Sequence, residues 1–410
     1  MPATPFLFDA VVFDLDGTLV ATDRFWVDAA RVGARRAFTE LGLDRPLPTA
    51  AEWMSLVGLP LAQGFARIFP ELDAPSRARV MALCEEEEHK ALRAGGAVLL
   101  PGVADTLDAL RSRGVRIGIA SNCGRDYLAS MMRDLDLARW VEIPRCLDSQ
   151  GVHTKSDMVA DILARFETRA AVMVGDRLGD RDAAWENGLP HVHLARGFAP
   201  AGEVVEAEAV IESMVELVPR LERRGTWIEG ALEWLDVDLA DPPRTIGITG
   251  PPGGGKSLFA RDVARILESR GRSAVVVALE DHLRAGLEQD LGSTAFVAAA
   301  RPLDLLTQGY DLAALEARIA AIPDGTTAIV HGAFLAHPVL RPKLARLLHL
   351  EVDEKVCLRR LAGRDVRSHG PEALLRLRRH LLPASRAFDA AVPPREHADL
   401  VLEAGNPLGL

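Results

Sequence analysis

Cysteine is scarce in this chain. There are four in 410 residues, Cys84, Cys123, Cys146 and Cys357, and none forms a Cys-x-x-Cys pair. That argues against a disulfide framework or a thiolate metal site, and a reduced, cytoplasmic chain is the expectation. Basic residues are outnumbered: 48 Lys and Arg against 58 Asp and Glu give a formal net charge of −10. Such a balance disfavours nucleic acid and anionic membranes as main partners, although a local basic patch is compatible with it. No uninterrupted apolar run is long enough to cross a bilayer. Residues 1–10 lack the basic start and apolar stretch of a signal peptide. There is no internal repeat and no low-complexity tract. What is present is ordinary globular material, 48% hydrophobic and 26% charged, with length for two or three domains.

The first half is organised around residues 10–20. Ala10 to Phe13 is a short apolar run bounded by a polar turn, which predicts a buried strand. Asp14 and Asp16 follow on alternate positions, which share a face at the end of a strand. Two carboxylates on one face repel unless a cation sits between them, so Mg²⁺ is expected there. Gly17 permits a sharp turn, and Thr18 adds a hydroxyl.

Asp14-Leu15-Asp16-Gly17-Thr18-Leu19-Val20 resembles the first motif of the haloacid dehalogenase superfamily, whose members are mostly phosphatases. Versions of that family's three later motifs follow in order. Ile117 to Asn122 is a strand ending in Ser121; Lys155 lies in His153-Thr154-Lys155-Ser156-Asp157; and Val172 to Asp180 carries Asp176 and Asp180 after a strand. The resemblance covers about residues 6–222. It implies a parallel-sheet domain over 1–224, with a helical cap at about 20–98 closing over the site. Within the cap, prolines at 46, 48, 60, 70 and 75 read as helix breaks, and the run Glu85 to Lys90 reads as a solvated helix face. Strands at 115–120 and 171–175 alternate with helices near 125–135 and 156–166. Such alternation predicts a doubly wound parallel sheet, which binds ligands at the carboxyl ends of its strands. Residues 203–223 read as a closing helix and 225–243 as a connector.

The second domain is placed at 244–410. It opens with strand Thr245 to Thr249, then Gly250-Pro251-Pro252-Gly253-Gly254-Gly255-Lys256-Ser257, then a helix over 257–269. Gly-x-x-x-x-Gly-Lys-Ser between a strand and a helix is a phosphate-binding loop. Its glycines, Gly250, Gly253, Gly254 and Gly255 among them, let amide N–H groups curl around a phosphate, and the helix N-terminus adds positive charge. Lys256 is expected to reach the β- and γ-phosphates of ATP and Ser257 to hold Mg²⁺. Later strands end in Glu280-Asp281-His282, in His331-Gly332 and in Asp353, and the last is followed by Arg359, Arg360, Arg364 and Arg367. The layout resembles the uridine kinase and phosphoribulokinase branch of P-loop kinases. It implies Asp281 as base toward the acceptor hydroxyl, Glu280 near the metal, and Arg360 and Arg364 as lid arginines. His331 departs from that branch, which carries Glu-Gly there. A neutral imidazole is a poor Mg²⁺ ligand, so Glu280, Asp281 or water is left to do that work.

The two resemblances together imply an α/β chain of two doubly wound parallel-sheet domains. For the first, resemblance makes Asp14 the nucleophile, which would form an aspartyl phosphate, and Asp16 the general acid and base. Asp14, Asp16 through its backbone, Asp176 and Asp180 would hold Mg²⁺, while Ser121 and Lys155 would bind the phosphoryl oxygens. The favoured reading is a bifunctional enzyme acting on small molecules, a phosphate ester in one domain and a hydroxyl acceptor in the other. A polynucleotide end-healing enzyme, and a phosphatase regulated by a degenerate ATP-binding domain, are the alternatives.

Overall fold

A computed structural model describes residues 5–284 and 301–403. The chain divides into two compact units. Phe8–Pro219 forms one, and the chain from Arg220 onward, joined by Leu7, forms the other.

The first unit is built on a six-stranded parallel sheet of β1 (Ala10–Phe13), β2 (Arg116–Ser121), β3 (Ile143–Cys146), β4 (Ala171–Gly175), β5 (His191–Leu194) and β6 (Ala209–Ile211). Their spatial order is β3-β2-β1-β4-β5-β6. β1 lies between β2 and β4, with Val12 level with Gly118 and Met173. All four of its residues are buried, as an unbroken apolar run requires of a central parallel strand. The chain leaves β1 toward one side of the sheet and returns through β4 on the other. The reversal therefore lies beside β1, where such sheets place their ligands.

Helices α1 (Trp26–Leu41), α2 (Ala50–Met54), α3 (Leu61–Ile68) and α4 (Ala74–Arg93) are inserted between β1 and β2. Trp53 joins them. It meets Trp26 edge-on at 6.1 Å between centroids, and Phe65 and Phe69 at 5.9 Å each. Pro75 does not break a helix here. It sits in the first turn of α4, where proline forfeits no hydrogen bond, and Asp73 caps that end by accepting from Ser76 N at 2.8 Å. Next come α5 (Val103–Ser112), α6 (Arg125–Asp134), α7 (Lys155–Phe166) and α8 (Leu178–Glu186). Met158 and Ile162 of α7 and Ala184 of α8 bury one face of the sheet against Val12 and Met173.

β5 and β6 escape the sequence pattern. β5, His-Val-His-Leu, reads as polar yet is paired on both sides. β6 occupies part of the segment read as a closing helix. Its three residues show strand alternation, with Ala209 and Ile211 buried and Val210 exposed. The helix that follows, α9 (Leu217–Trp234), runs through the stretch read as a connector. Its Ile228, Ala231 and Leu232 are fully buried in the core of the second unit, which is why that stretch is helical.

The second unit carries a five-stranded parallel sheet of β7 (Thr245–Thr249), β8 (Ser273–Ala278), β9 (Thr326–His331), β10 (Arg346–Glu351) and β11 (Leu400–Glu403), in the order β11-β10-β7-β9-β8. The helix α10 (Lys256–Ser269) packs Phe259, Val263 and Leu267 into the same core as α9. Arg224 of α9 and Asp262 of α10 form an ion pair with both side chains fully buried, Nε donating to Oδ2 at 2.5 Å.

Candidate active site

The carboxyl ends of β1, β2 and β4 and the start of α7 supply the first site. Asp14 follows β1 directly and is buried. Lys155 is the first residue of α7, whose end is set by a capping box between Thr154 and Asp157. That cap aims the Lys155 ammonium inward, where Nζ donates to Asp14 Oδ1 at 2.8 Å and to Asp180 Oδ1 at 2.7 Å. Asp176, just past β4, accepts from Thr18 Oγ1 at 3.1 Å and from the Phe198 amide at 2.5 Å. Gly17 makes this approach possible: its φ is +80°, and a Cβ there would lie 2.5 Å from Asp176 Oδ2.

Asp14, Asp176 and Asp180 each offer a carboxylate oxygen within 4.8 Å of the others. Lys155 is the ammonium among these three buried acids. Burial, followed by the charge of Asp180, raises the Asp14 pKa well above the carboxylate range despite Lys155. The same two causes push Asp176 up to about 7. Asp14 Oδ2 is buried without a hydrogen-bond partner. Surplus negative charge, an orphaned oxygen and an all-oxygen donor set fit a hard divalent cation such as Mg²⁺.

Asp16 does not share that cluster. The expectation of a cation between the Asp14 and Asp16 carboxylates is corrected here, because the strand ends at Phe13 and the two-residue alternation ends with it. The Asp16 carboxylate instead accepts from Thr22 Oγ1 at 2.6 Å and from Tyr127 Oη at 2.5 Å. Burial raises its pKa, while those two hydroxyls pull the other way. Asp16 lines a cavity of about 610 Å³ between the inserted helices and the sheet, together with Ser121 at the end of β2. The Ser121 hydroxyl accepts from Cys123 N at 3.3 Å.

Sequence reasoning assigned no role to several groups here. Thr22 and Tyr127 hold Asp16. Asn122 Nδ2 donates to Gly58 O at 2.9 Å, and Arg177 donates to Val57 O, so two bonds tie the inserted helices down over the sheet. Asn122 and Arg177 stand inside the motifs already quoted, next to Ser121 and Asp176, and that adjacency is the signal available. The run Glu85 to Lys90 also differs from its reading as a solvated face. Glu86 and Glu87 pair with Arg36 and Lys90, but Glu85, Glu88 and His89 line the cavity.

The second set of residues gathers at the carboxyl ends of β7, β8 and β9. The 250–255 loop runs from β7 into α10, with Gly253 and Gly255 at φ of +76° and +85°. Lys256 is buried, and its Nζ donates to Pro251 O at 2.9 Å within the loop. Burial lowers its pKa, and Glu280 acts against that. Ser257 is exposed in the first turn of α10. Glu280 and Asp281, both exposed, lie in the turn Leu279–His282 after β8. His331 at the end of β9 places Nδ1 3.9 Å from Glu280 Oε2, and burial lowers its pKa, which favours the neutral imidazole. The helix Glu354–His369 lies over the loop: a Cβ on Gly253 would meet Leu361 Cγ at 2.8 Å. Arg360, half-buried, and Arg364, exposed and paired with Asp365 at 2.5 Å, stand on that helix. Gly250 and Gly254 complete the loop beside Leu350 O and Pro251 O.

Residues 11–193 match the family model described as haloacid dehalogenase-like hydrolase. The chain is 27% identical over 234 residues to a phosphoglycolate phosphatase of Salmonella typhi, a match spanning 52% of this chain and 91% of that protein. It is 25% identical over 232 residues to the phosphoglycolate phosphatase of Escherichia coli O157:H7, with the same coverage. Among solved structures, it is similar to a haloacid dehalogenase-like family hydrolase from Streptococcus pneumoniae, with 22% identity and a TM-score of 0.45 over 52% of this chain and 97% of the other.

Proposed function

We propose that the first unit, haloacid dehalogenase-like over residues 11–193, hydrolyses small phosphate monoesters through Asp14. The observation that carries this reading is the buried set of Asp14, Lys155, Asp176 and Asp180, with Asp16 on the adjoining cavity. The Asp14 carboxylate attacks phosphorus, and the bond to the leaving oxygen breaks. An aspartyl phosphate results, which divides one hard displacement into two easier ones. Asp16, kept protonated more readily by burial, gives its proton to the leaving oxygen and then takes one from the water that attacks the aspartyl phosphate. Thr22 and Tyr127 hold that carboxyl in place. Lys155 and Ser121 meet the phosphoryl oxygens, Lys155 with a charge fixed by two carboxylates before substrate arrives. Asp14, Asp176 and Asp180 would hold Mg²⁺, which supplies further neutralisation of phosphoryl charge. The bonds from Asn122 and Arg177 hold the turn between α2 and α3 against the site.

The test is hydrolysis of p-nitrophenyl phosphate by the purified full chain. Hydrolysis that requires added Mg²⁺ is expected, falling by roughly three orders of magnitude or more in Asp14→Asn, as when a nucleophile is removed. Turnover near the wild-type rate in that variant refutes the assignment.

For the second unit, the 250–257 loop supports ATP binding and transfer of its γ-phosphate to a small hydroxyl acceptor, with Asp281 as base. Lys256 and Ser257 serve the phosphates and Mg²⁺, Glu280 stands near the metal, and Arg360 and Arg364 close over the transferring group. Glu280 or Asp281 carries what His331 does not. ATP-dependent phosphorylation of a candidate sugar or nucleoside supports this. ATP binding without transfer to any acceptor favours a regulatory role for this unit.

A further inference from the structure

The cavity beside Asp16 is charged in one sense. Besides Asp16, the carboxylates of Glu85, Glu88, Asp126 and Asp148 line it, against one guanidinium, Arg125, and the imidazole of His89. Arg125 is exposed and turned to Asp148, donating from Nη2 to its backbone oxygen at 2.6 Å. Glu88 stands apart from the others. It is only 7% exposed, and among the described residues no hydrogen bond or ion pair engages its carboxyl. A buried polar group without a partner costs free energy that a bound molecule can offset. Glu85 lies one turn before Glu88 on α4, so both carboxyls are presented on one face of that helix. Leu56, Leu59 and Leu61 also line the cavity and offer nothing to an anion.

We infer that the leaving group of the phosphate ester hydrolysed here carries an ammonium, held by Glu88 and Glu85, so that the substrate class is a phosphorylated amino alcohol. This rests on the hydrolase reading of Asp14. An ammonium pairs with the carboxylates that Glu88 and Glu85 present. A leaving group bearing a carboxylate, as in the glycolate ester named for the enterobacterial relatives, meets like charge instead. Burial, followed by the charges of Asp16 and Glu85, raises the Glu88 pKa well above the usual range. An ammonium alongside favours its ionised form and gives a charge-assisted hydrogen bond.

The experiment compares kcat/KM of the 410-residue chain with Mg²⁺ on O-phosphoethanolamine, ethylene glycol monophosphate and 2-phosphoglycolate, three esters of similar size, with p-nitrophenyl phosphate alongside. The ammonium ester is expected to exceed the carboxylate ester by at least about tenfold, the worth of one charge-assisted bond. In Glu88→Gln the ratio of ammonium to hydroxyl ester should fall by about tenfold, and Glu85→Gln should lower it less. A preference for the hydroxyl or carboxylate ester overturns the inference, and so does an ammonium-to-hydroxyl ratio unchanged in Glu88→Gln. If p-nitrophenyl phosphate and all three esters are left intact, the hydrolase reading falls and takes this inference with it. If p-nitrophenyl phosphate is cleaved while the ester order is reversed, the inference alone falls.

Discussion

Three buried carboxylates around one lysine would be unstable neighbours without the groups that hold them. The Thr18 hydroxyl and the Phe198 amide hold Asp176, and the Arg177 amide holds Asp180 at 2.9 Å. Glu88 lacks such support, and its burial makes stability depend on pH. Its folded-state pKa is raised above that of the unfolded chain. Below the ordinary carboxylate range both states are protonated and the residue costs nothing. As pH rises past about 4.3, the unfolded chain gives up its proton first, so stability is lost until the folded carboxyl also titrates. Glu88→Gln removes that loss. Its melting temperature should match the wild type near pH 4 and exceed it by several degrees at pH 8, in protein without ligand. Differential scanning calorimetry at the two pH values decides this. A variant no more stable than wild type at pH 8 would show that the carboxyl is not carrying the cost of burial.

At the scale of elements, both sets of candidate site residues stand where a parallel strand hands over to a helix start, and that placement was legible in the sequence. Asp14, Asp176 and the 250–257 loop follow short apolar runs, so their placement at strand ends follows from local pattern alone. Contacts that span the chain were not legible. Tyr127 reaches Asp16 across 111 positions, and nothing local to Tyr127 announces it. The Glu85 to Lys90 run looks uniform in composition, yet α4 turns half of it to solvent and half to the cavity. The face it buries is set by α1, which lies far away in sequence. β5 was missed because its histidines mask a strand that pairing on both sides enforces. The charged pair between α9 and α10 belongs to the same class. Arg224 and Asp262 each look like surface residues of an amphipathic helix, and both are fully buried. Asp262→Ala leaves the Arg224 guanidinium buried without its partner, which costs about 3–5 kcal/mol. Urea unfolding should show that loss. A change below about 1 kcal/mol would mean that water reaches the pair, as it does for surface ion pairs.

On the scale of the whole molecule, each unit has its own sheet, its own core and its own set of candidate site residues. Lys256→Ala should therefore abolish ATP-dependent transfer and leave phosphate-ester hydrolysis within about twofold, since the two sets of residues share no side chain. Loss of both activities in a folded variant would argue for one composite site. The proposed pairing of a phosphatase with a phosphate-binding-loop unit also suits the repair of polynucleotide ends, and the charge of the chain bears on that reading. Gripping a nucleic-acid backbone calls for clustered Lys and Arg and brings a steep salt dependence. The chain carries a net charge of −10, and no helix among the described residues is long and apolar enough to cross a membrane. The charged groups lining the cavity beside Asp16 are mainly carboxylates, which repel a phosphodiester chain, and the inserted helices are bonded down over it. The arginines from Arg359 to Arg367 stand on the helix over the 250–257 loop, where the proposed transfer from ATP would employ them, and a second group, Arg376, Arg378 and Arg379, follows in the sequence. Small phosphate esters and small hydroxyl acceptors should accordingly be processed, while 3′-phosphorylated and 5′-hydroxyl oligonucleotides should be turned over at least about a hundredfold less efficiently, a difference of roughly 2.7 kcal/mol. Presenting both classes side by side over a range of salt concentrations decides it. Efficient processing of the oligonucleotide ends, weakening steeply as salt rises, would show that polymer ends enter these sites despite the acidity of the chain.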